Sequence, residues 1–261
     1  MSQDFAKDWD KDYQGQDLQA KIDDNKNWPL TPTVYRFFEQ YVKPQNGQCF
    51  LEAGCGFGKW NILLADKYPE WEINVGLDYS EAVSTGHQYN LQHKKHNISF
   101  VQGSVTELPL ASNSFDALLN LGVIGHIENP LPAIEEMYRV LKPGGWLFAD
   151  VVNDTVLTWR RKFEPLSIYE KFYSSNEFSK LFSDQGFEVK ECFSQDFMFL
   201  ATQMMSLPRV MTSGGRLGVL NRCWSKGLRL MRRVMMPLNK MADSHSGFFT
   251  CIIVQKPETA V

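Results

Sequence analysis

The 261-residue sequence contains no uninterrupted apolar run of 18 residues, so no segment is expected to cross a membrane as a helix. It also has no C-x-x-C pair, and its five cysteines (49, 55, 192, 223 and 251) are an odd number. That excludes the usual disulfide framework and zinc patterns, so a reducing compartment and no metal are expected. The first residues, Met1 to Asp8, are polar and acidic and lack the basic-then-apolar order of a secretory signal, so the expected location is cytoplasmic. Net charge is scarce too. The 27 Lys and Arg against 30 Asp and Glu leave −3, which gives no electrostatic reason to expect a nucleic-acid partner. At 43% apolar and 22% charged residues the chain has ordinary globular composition, and its length can bury a core without staples.

One further absence is local. Between Asp196 and Asp243 there is no acidic residue, while Arg209, Arg216, Arg222, Lys226, Arg229, Arg232, Arg233 and Lys240 all fall there. Removing those eight leaves 19 basic residues against 30 acidic ones, so the rest of the chain carries −11. The same stretch holds eight of the ten Met.

Around it, strand and helix signals alternate. Thr31 reads as an N-cap with Pro32 at the first helical position, before Val34, Phe37, Phe38, Tyr41 and Val42 at helical spacing. Strands are expected at 49–51, 72–78, 98–101, 115–120, 146–152, 187–193 and 248–254. Helices are expected after residue 58 and at 80–93, 130–141 and 174–185, the last behind a Ser-Ser-Asn-Glu capping signal. Lys142-Pro143-Gly144-Gly145 reads as a turn. This alternation predicts an α/β fold: a doubly wound, mostly parallel sheet of seven strands with a helical insertion before the last. The expected organisation is an N-terminal arm and helix at 1–44, a core at 45–196, a basic, Met-rich insertion at 197–246, and the last core strand and tail at 247–261.

Chemistry concentrates after the first strand, in Glu52-Ala53-Gly54-Cys55-Gly56-Phe57-Gly58. Glycines there allow a sharp turn and close approach of a ligand to the backbone. Asp78 follows Gly58 by twenty residues at the end of the second strand, where a carboxylate can accept both hydroxyls of a ribose.

Leu51 to Gly58 resembles the first motif of the class I S-adenosylmethionine-dependent methyltransferases, of the small-molecule type. Leu77-Asp78-Tyr79-Ser80, Gly103 to Pro109, Phe115 to Asn120 and Leu141 to Gly145 resemble later signatures in the same order. The resemblance implies a Rossmann-like methyltransferase fold and S-adenosylmethionine as cofactor. It places Glu52 near the methionine ammonium, with Ala53, Gly54, Gly56 and Gly58 in the loop beneath the methionine. Asp78 would hold the ribose, Tyr79 would pack on the adenine, and Val105 would offer it a backbone amide. Ser104 departs from the Asp common at its position and offers only a neutral hydroxyl. Asn120 and Leu121 would face the methyl end. Carboxylates suit a cofactor that carries a sulfonium and an ammonium, whereas a pyrophosphate would favour basic groups.

Methyl transfer from a sulfonium is an in-line displacement that needs alignment, dryness and, for a protonated acceptor, a base. His126 is the first candidate for that base or for a substrate contact; a structural histidine bonded to backbone is its plainer reading. Tyr13 is the second catalytic candidate, and it and Trp9 are candidates to fold over the cofactor, against a plain anchoring role. Asn153 and Asp154 stand at the mouth, and His245 reads as exposed. Asn120 replaces the carboxylate expected of catechol-type relatives, so no metal is expected. The motifs of nucleic-acid amino, pyrimidine-C5 and arginine methyltransferases are missing, which leaves small molecules or lipids.

Within the insertion, Leu217, Leu220, Trp224, Leu228, Met231, Met235 and Leu238 recur at helical steps, with Arg222, Lys226, Arg229 and Arg233 opposite. Three readings stand: a helix packed on the core, a lid over the substrate, or a peripheral membrane contact through 216–238. The expected reaction is methylation of O or N in a small to medium-sized, partly apolar and anionic or hydrophobic metabolite. The alternatives are a quinone, lipid or lipid-linked sugar acceptor at a membrane surface, or cofactor binding without turnover.

Overall fold

A computed structural model describes residues 9–11, 13–26, 28, 30–93, 97–154, 169–195 and 248–258. The basic insertion and His245 lie outside the described residues.

Seven strands form one sheet: β1 (Cys49–Ala53), β2 (Ile73–Asp78), β3 (Ile98–Gln102), β4 (Phe115–Leu121), β5 (Leu141–Val152), β6 (Glu188–Gln195) and β7 (Phe249–Gln255). Their order is β3-β2-β1-β4-β5-β7-β6. Strands β1 to β5 pair in parallel, and β7 runs antiparallel to both β5 and β6. Helices with both ends described are α1 (Leu18–Lys26), α2 (Thr31–Phe37), α3 (Lys59–Lys67), α4 (Ala82–His93), α5 (Leu131–Val140) and α6 (Ser175–Ser183). The predicted doubly wound α/β class and strand count agree with this architecture.

Alternation along the strands sends successive side chains to opposite faces, and both faces are apolar, so two cores form. Phe50, Ala117, Leu119, Phe148 and Ile253 pack with Leu18, Phe37 and Leu64 of α1 to α3. Leu51, Leu118, Leu147, Ile252 and Val254 pack with Ile134 and Met137 of α5 and Phe178 and Phe182 of α6. The capping box is present: Ser174 Oγ accepts the Glu177 N–H, and Glu177 in turn accepts from the Ser174 N–H.

Two expectations need correction. Helix α2 is capped at Leu30, and Thr31 is its first residue, because the Thr31 hydroxyl donates instead to the Asn25 carbonyl. Residues 142–145 are not a free turn before a strand. The ladder already pairs Phe115 with Leu141, then shifts register to pair Ala117 with Trp146. The bulged residues are tied to the tail by Gly144 N–H to Lys256 O and Lys256 N–H to Gly145 O, both 2.9 Å. Buried Lys256 completes the clamp, its Nζ donating to Asn113 Oδ1, Tyr138 O and Leu141 O at 2.7–2.9 Å.

Candidate active site

The site lies at the carboxyl ends of the parallel strands, where the order reverses between β1 and β4; open α/β sheets bind ligands at this crevice. The chain leaves β6 at Gln195 and re-enters at Phe249, which pair with each other and with Val152 at this same end. Both ends of the undescribed basic segment therefore stand at the same end of the sheet as the site.

The glycine turn is folded onto β2. Gly54 and Cys55 N–H groups both donate to Leu77 O, at 2.7 and 2.9 Å, and Gly56 N–H donates to Asp78 Oδ2 at 2.7 Å. Two glycines are demanded by space as well as by backbone. At Gly54 (φ +84°) a Cβ would collide with Val123 Cγ2, and at Gly56 (φ +53°) it would stand 2.5 Å from the Tyr13 hydroxyl. Gly58 caps α3 with φ +72°.

Asp78 is pinned before any ligand arrives. Its Oδ1 accepts Ser80 N–H and Oγ–H at 2.9 and 2.7 Å, and Oδ2 accepts Gly56 N–H. Of about four acceptor positions on a carboxylate, one on Oδ2 stays open for a ribose hydroxyl. Ser104 Oγ is 2.7 Å from Thr106 Oγ1 and accepts Thr106 N–H at 3.2 Å, so much of its capacity is spent inside its own turn.

A buried electrostatic layer supports this floor on the side of α3. Glu52 is 2% exposed and accepts Asn61 N–H at 3.2 Å. Burial pushes its carboxyl up to about 8, while the Lys59 charge and the Asn61 bond pull the other way. Asn61 Nδ2 donates to Asn74 Oδ1 at 2.7 Å and Asn74 Nδ2 to the Asn61 main-chain carbonyl at 3.0 Å, fastening α3 to β2 beside it. Asp150, also 2% exposed, ends the apolar run of β5 and accepts Gly122 N–H at 2.6 Å. Burial pushes Asp150 up to about 7, against the Gly122 bond and the Lys59 charge. Neither Lys59 nor Asp150 stood out in the sequence, because one acid in a strand and one lysine in a helix carry no spacing signal.

The N-terminal arm closes over the front. Trp9 meets His126 edge-on with ring centroids 5.0 Å apart, and Tyr13 meets Phe57 at 4.7 Å. Asp10 Oδ1 accepts Glu81 N–H at 2.8 Å, just ahead of α4. His126 ends a short 3-10 turn, Ile124–His126, and its Nδ1 is 2.8 Å from the Tyr169 carbonyl. A carbonyl only accepts, so Nδ1 carries the proton and a neutral ring leaves Nε2 as the basic nitrogen.

A partly enclosed cavity of about 110 Å³ sits between arm and sheet. Gly54, Asp78, Tyr79, Val105 and Leu121 line it from the expected cofactor set, and Tyr13 and His126 line it from the expected catalytic set. Trp9, Gly122, Val123 and Ile127 complete the wall. Glu52, Ala53, Gly56, Gly58, Ser104 and Asn120 stand behind it. Asn120 is fully buried and donates through Nδ2 to Ala53 O at 2.8 Å, with no partner for its Oδ1. Asn153, expected at the mouth, is instead buried, and its amide donates to Ser194 Oγ and Thr250 Oγ1 at 3.0 and 2.9 Å. The close approach at the glycines and the Asp78 carboxylate in a wall without Lys or Arg among the described residues fit a cationic ligand of cofactor type.

Residues 51–149 match the family described as a methyltransferase domain. The demethylmenaquinone methyltransferase of Listeria monocytogenes serotype 4a (strain HCC23) is 29% identical over 143 residues, which are 52% of this chain and 60% of that protein. The match therefore spans less than two thirds of the relative. Among solved structures, Haemonchus contortus phosphoethanolamine N-methyltransferase 2 superposes with a TM-score of 0.58 at 14% identity, over 87% of this chain and 53% of that one. Geranyl diphosphate C-methyltransferase from Streptomyces coelicolor A3(2) superposes at 0.56 and 12% identity, over 88% and 78%. At such identities the structures establish the fold alone. Residues 51–149, which hold the glycine turn and its strand-end acids, are thus similar to a methyltransferase domain.

Proposed function

We propose that the chain binds S-adenosylmethionine and transfers its methyl group to O or N of a small to medium-sized, partly apolar metabolite. The observation that carries this reading is the pair of acids on neighbouring strands at the glycine turn: Asp78, which ends β2 and lines the cavity, and Glu52, buried next to last in β1. No Lys or Arg lines the cavity among the described residues. Two carboxylates favour a ligand with two positive centres and disfavour a phosphate.

The cofactor supplies an electrophilic methyl group on a sulfonium. The turn at Gly54 to Gly58 underlies its methionine part, and Glu52 faces the ammonium through the turn. Asp78 holds a ribose hydroxyl, Tyr79 packs on the adenine, and the Val105 amide faces the adenine edge. Trp9 and Tyr13 keep water from the transfer path, and alignment of acceptor, carbon and sulfur does most of the catalytic work. His126, with Nδ1 committed to Tyr169 O, is positioned to take the acceptor's proton on Nε2.

Calorimetric titration with S-adenosylmethionine should show one site per chain. Absence of binding at millimolar ligand overturns the reading. With an acceptor in hand, His126→Gln should lower kcat by about 10²-fold or more while leaving cofactor affinity within twofold. An unchanged kcat would return His126 to a structural role.

A second reading has its own support. The Listeria relative is named for a quinone substrate, and the eight-cation segment suits an anionic membrane surface. In this reading the acceptor is a quinone, lipid or lipid-linked sugar. No helix among the described residues is long and apolar enough to cross a membrane, so contact would be peripheral.

A further inference from the structure

The stretch from Gly103 to Ser114 crosses the expected adenine end of the cavity without joining the sheet ladder. It contributes Val105 to the wall. What holds its second half is a pair of side chains on α5. Glu136 Oε2 accepts the Leu108 N–H at 2.7 Å. Arg139 donates from Nη2 to Leu108 O at 3.0 Å, and from Nη1 to Leu110 O at 2.9 Å and Ser112 Oγ at 3.1 Å. Its remaining donors, Nε and the second Nη2 proton, go to Glu136 Oε1 and Oε2 at 2.7 and 2.8 Å. All five guanidinium N–H groups are thereby used on five acceptor atoms of four residues, and a lysine with three donors on a point charge cannot reproduce this. Arg139 also keeps the Glu136 carboxyl below the usual carboxylate range, so the pair stays charged near neutral pH.

The first half of the same stretch is tied to the ribose acid. Gly103 N–H donates to Asp78 O at 2.9 Å. Ser104, which stands where an acid would read the adenine amino group, spends its hydroxyl on Thr106. Reading of the base edge then falls to backbone groups of the loop, whose value depends on their placement.

We infer that Glu136 and Arg139 are positioning residues for adenine selection: without touching the cofactor, they set the loop whose backbone reads the base. The inference rests on the cofactor reading above, and the experiment separates the two. S-adenosylhomocysteine and S-inosylhomocysteine, which carries a 6-oxo in place of the 6-amino group, are titrated into the full chain by calorimetry. The variants are Arg139→Lys, Glu136→Gln and, as a control, Lys142→Met. The control breaks the Lys142–Asp116 pair, which is as exposed as Glu136–Arg139 (36% and 22% against 34% and 21%) but lies off the loop. Wild type and the control should prefer the adenosyl ligand by about tenfold or more, as sites that pair a polar edge do, and the two loop variants should narrow that preference to under about threefold. Equal losses for both ligands, or an unchanged preference, would mean that the pair only supports the fold and would overturn the inference. Wild type that binds both ligands equally overturns it too, while leaving the cofactor reading intact. Wild type that binds neither overturns the cofactor reading itself, and the inference with it.

Discussion

Burial decides the protonation of the two acids beneath the glycine turn, and this has a measurable sign. Glu52 moves from an ordinary 4.5 to about 8, and Asp150 from 3.8 to about 7, both chiefly through desolvation. A group whose folded value is raised binds more protons folded than unfolded, so its contribution is full below the ordinary value and fades as pH climbs through the folded one. The thermal midpoint of the cofactor-free protein should fall between pH 5 and pH 8 more steeply in wild type than in Glu52→Gln, whose amide cannot ionise. Equal slopes by scanning fluorimetry would contradict the burial argument. A cationic ligand favours the ionised acid, so cofactor binding near pH 7 should release protons, which calorimetry in buffers of different ionisation enthalpy detects. Asp78→Ala should weaken S-adenosylmethionine by about 1–3 kcal/mol through lost charge-assisted hydrogen bonds. Unchanged affinity would refute the ribose assignment. Asp78 was legible in the sequence because its distance from the glycines is itself a signal. Asp150 was not, because its significance comes from meeting Gly122 and Lys59 only after β4, β5 and α3 are assembled.

At the scale of elements, sequence patterns located nearly every strand because buried parallel strands are continuous apolar runs, and the exceptions have particular causes. The Lys142 to Gly145 segment has turn composition, yet the ladder resumes across it because Lys256, more than a hundred residues later, supplies the missing partners. Nothing local encodes that. Lys256→Met should leave three acceptors without their shared donor, of which the Leu141 carbonyl is buried, and cost about 1–3 kcal/mol in urea unfolding. A loss below about 0.5 kcal/mol would show that the bulge holds itself. The arm is the second case: Trp9 and Tyr13 were visible as isolated aromatics, but their docking depends on Asp10, whose carboxylate takes the Glu81 N–H at 2.8 Å. Asp10→Ala should forfeit about 0.5–2 kcal/mol, as loss of a helix-start cap does, and should speed amide exchange at Glu81. Exchange there at the wild-type rate would mean that the ring contacts alone hold the arm.

For the whole molecule, the net charge of −3 is a cancellation between −11 over most of the chain and +8 between Asp196 and Asp243. Gln195 and Phe249, which bound the basic segment, stand at the carboxyl end of the parallel strands. A cationic cofactor accounts for acids at the glycine turn and gives no use for eight cations, which suit an anionic acceptor or surface instead. If the surface is a membrane, each Lys or Arg near an anionic bilayer contributes about 1 kcal/mol, screened over a Debye length of about 10 Å at 0.1 M salt. The full chain should then float with vesicles containing phosphatidylserine at low salt, not with neutral vesicles, and should be released as salt rises. Arg222→Glu, Arg229→Glu and Arg233→Glu together should abolish flotation while leaving S-adenosylmethionine affinity unchanged. No flotation at low salt would remove the membrane reading and leave the eight cations to an anionic soluble acceptor, whose binding the same triple variant should weaken instead.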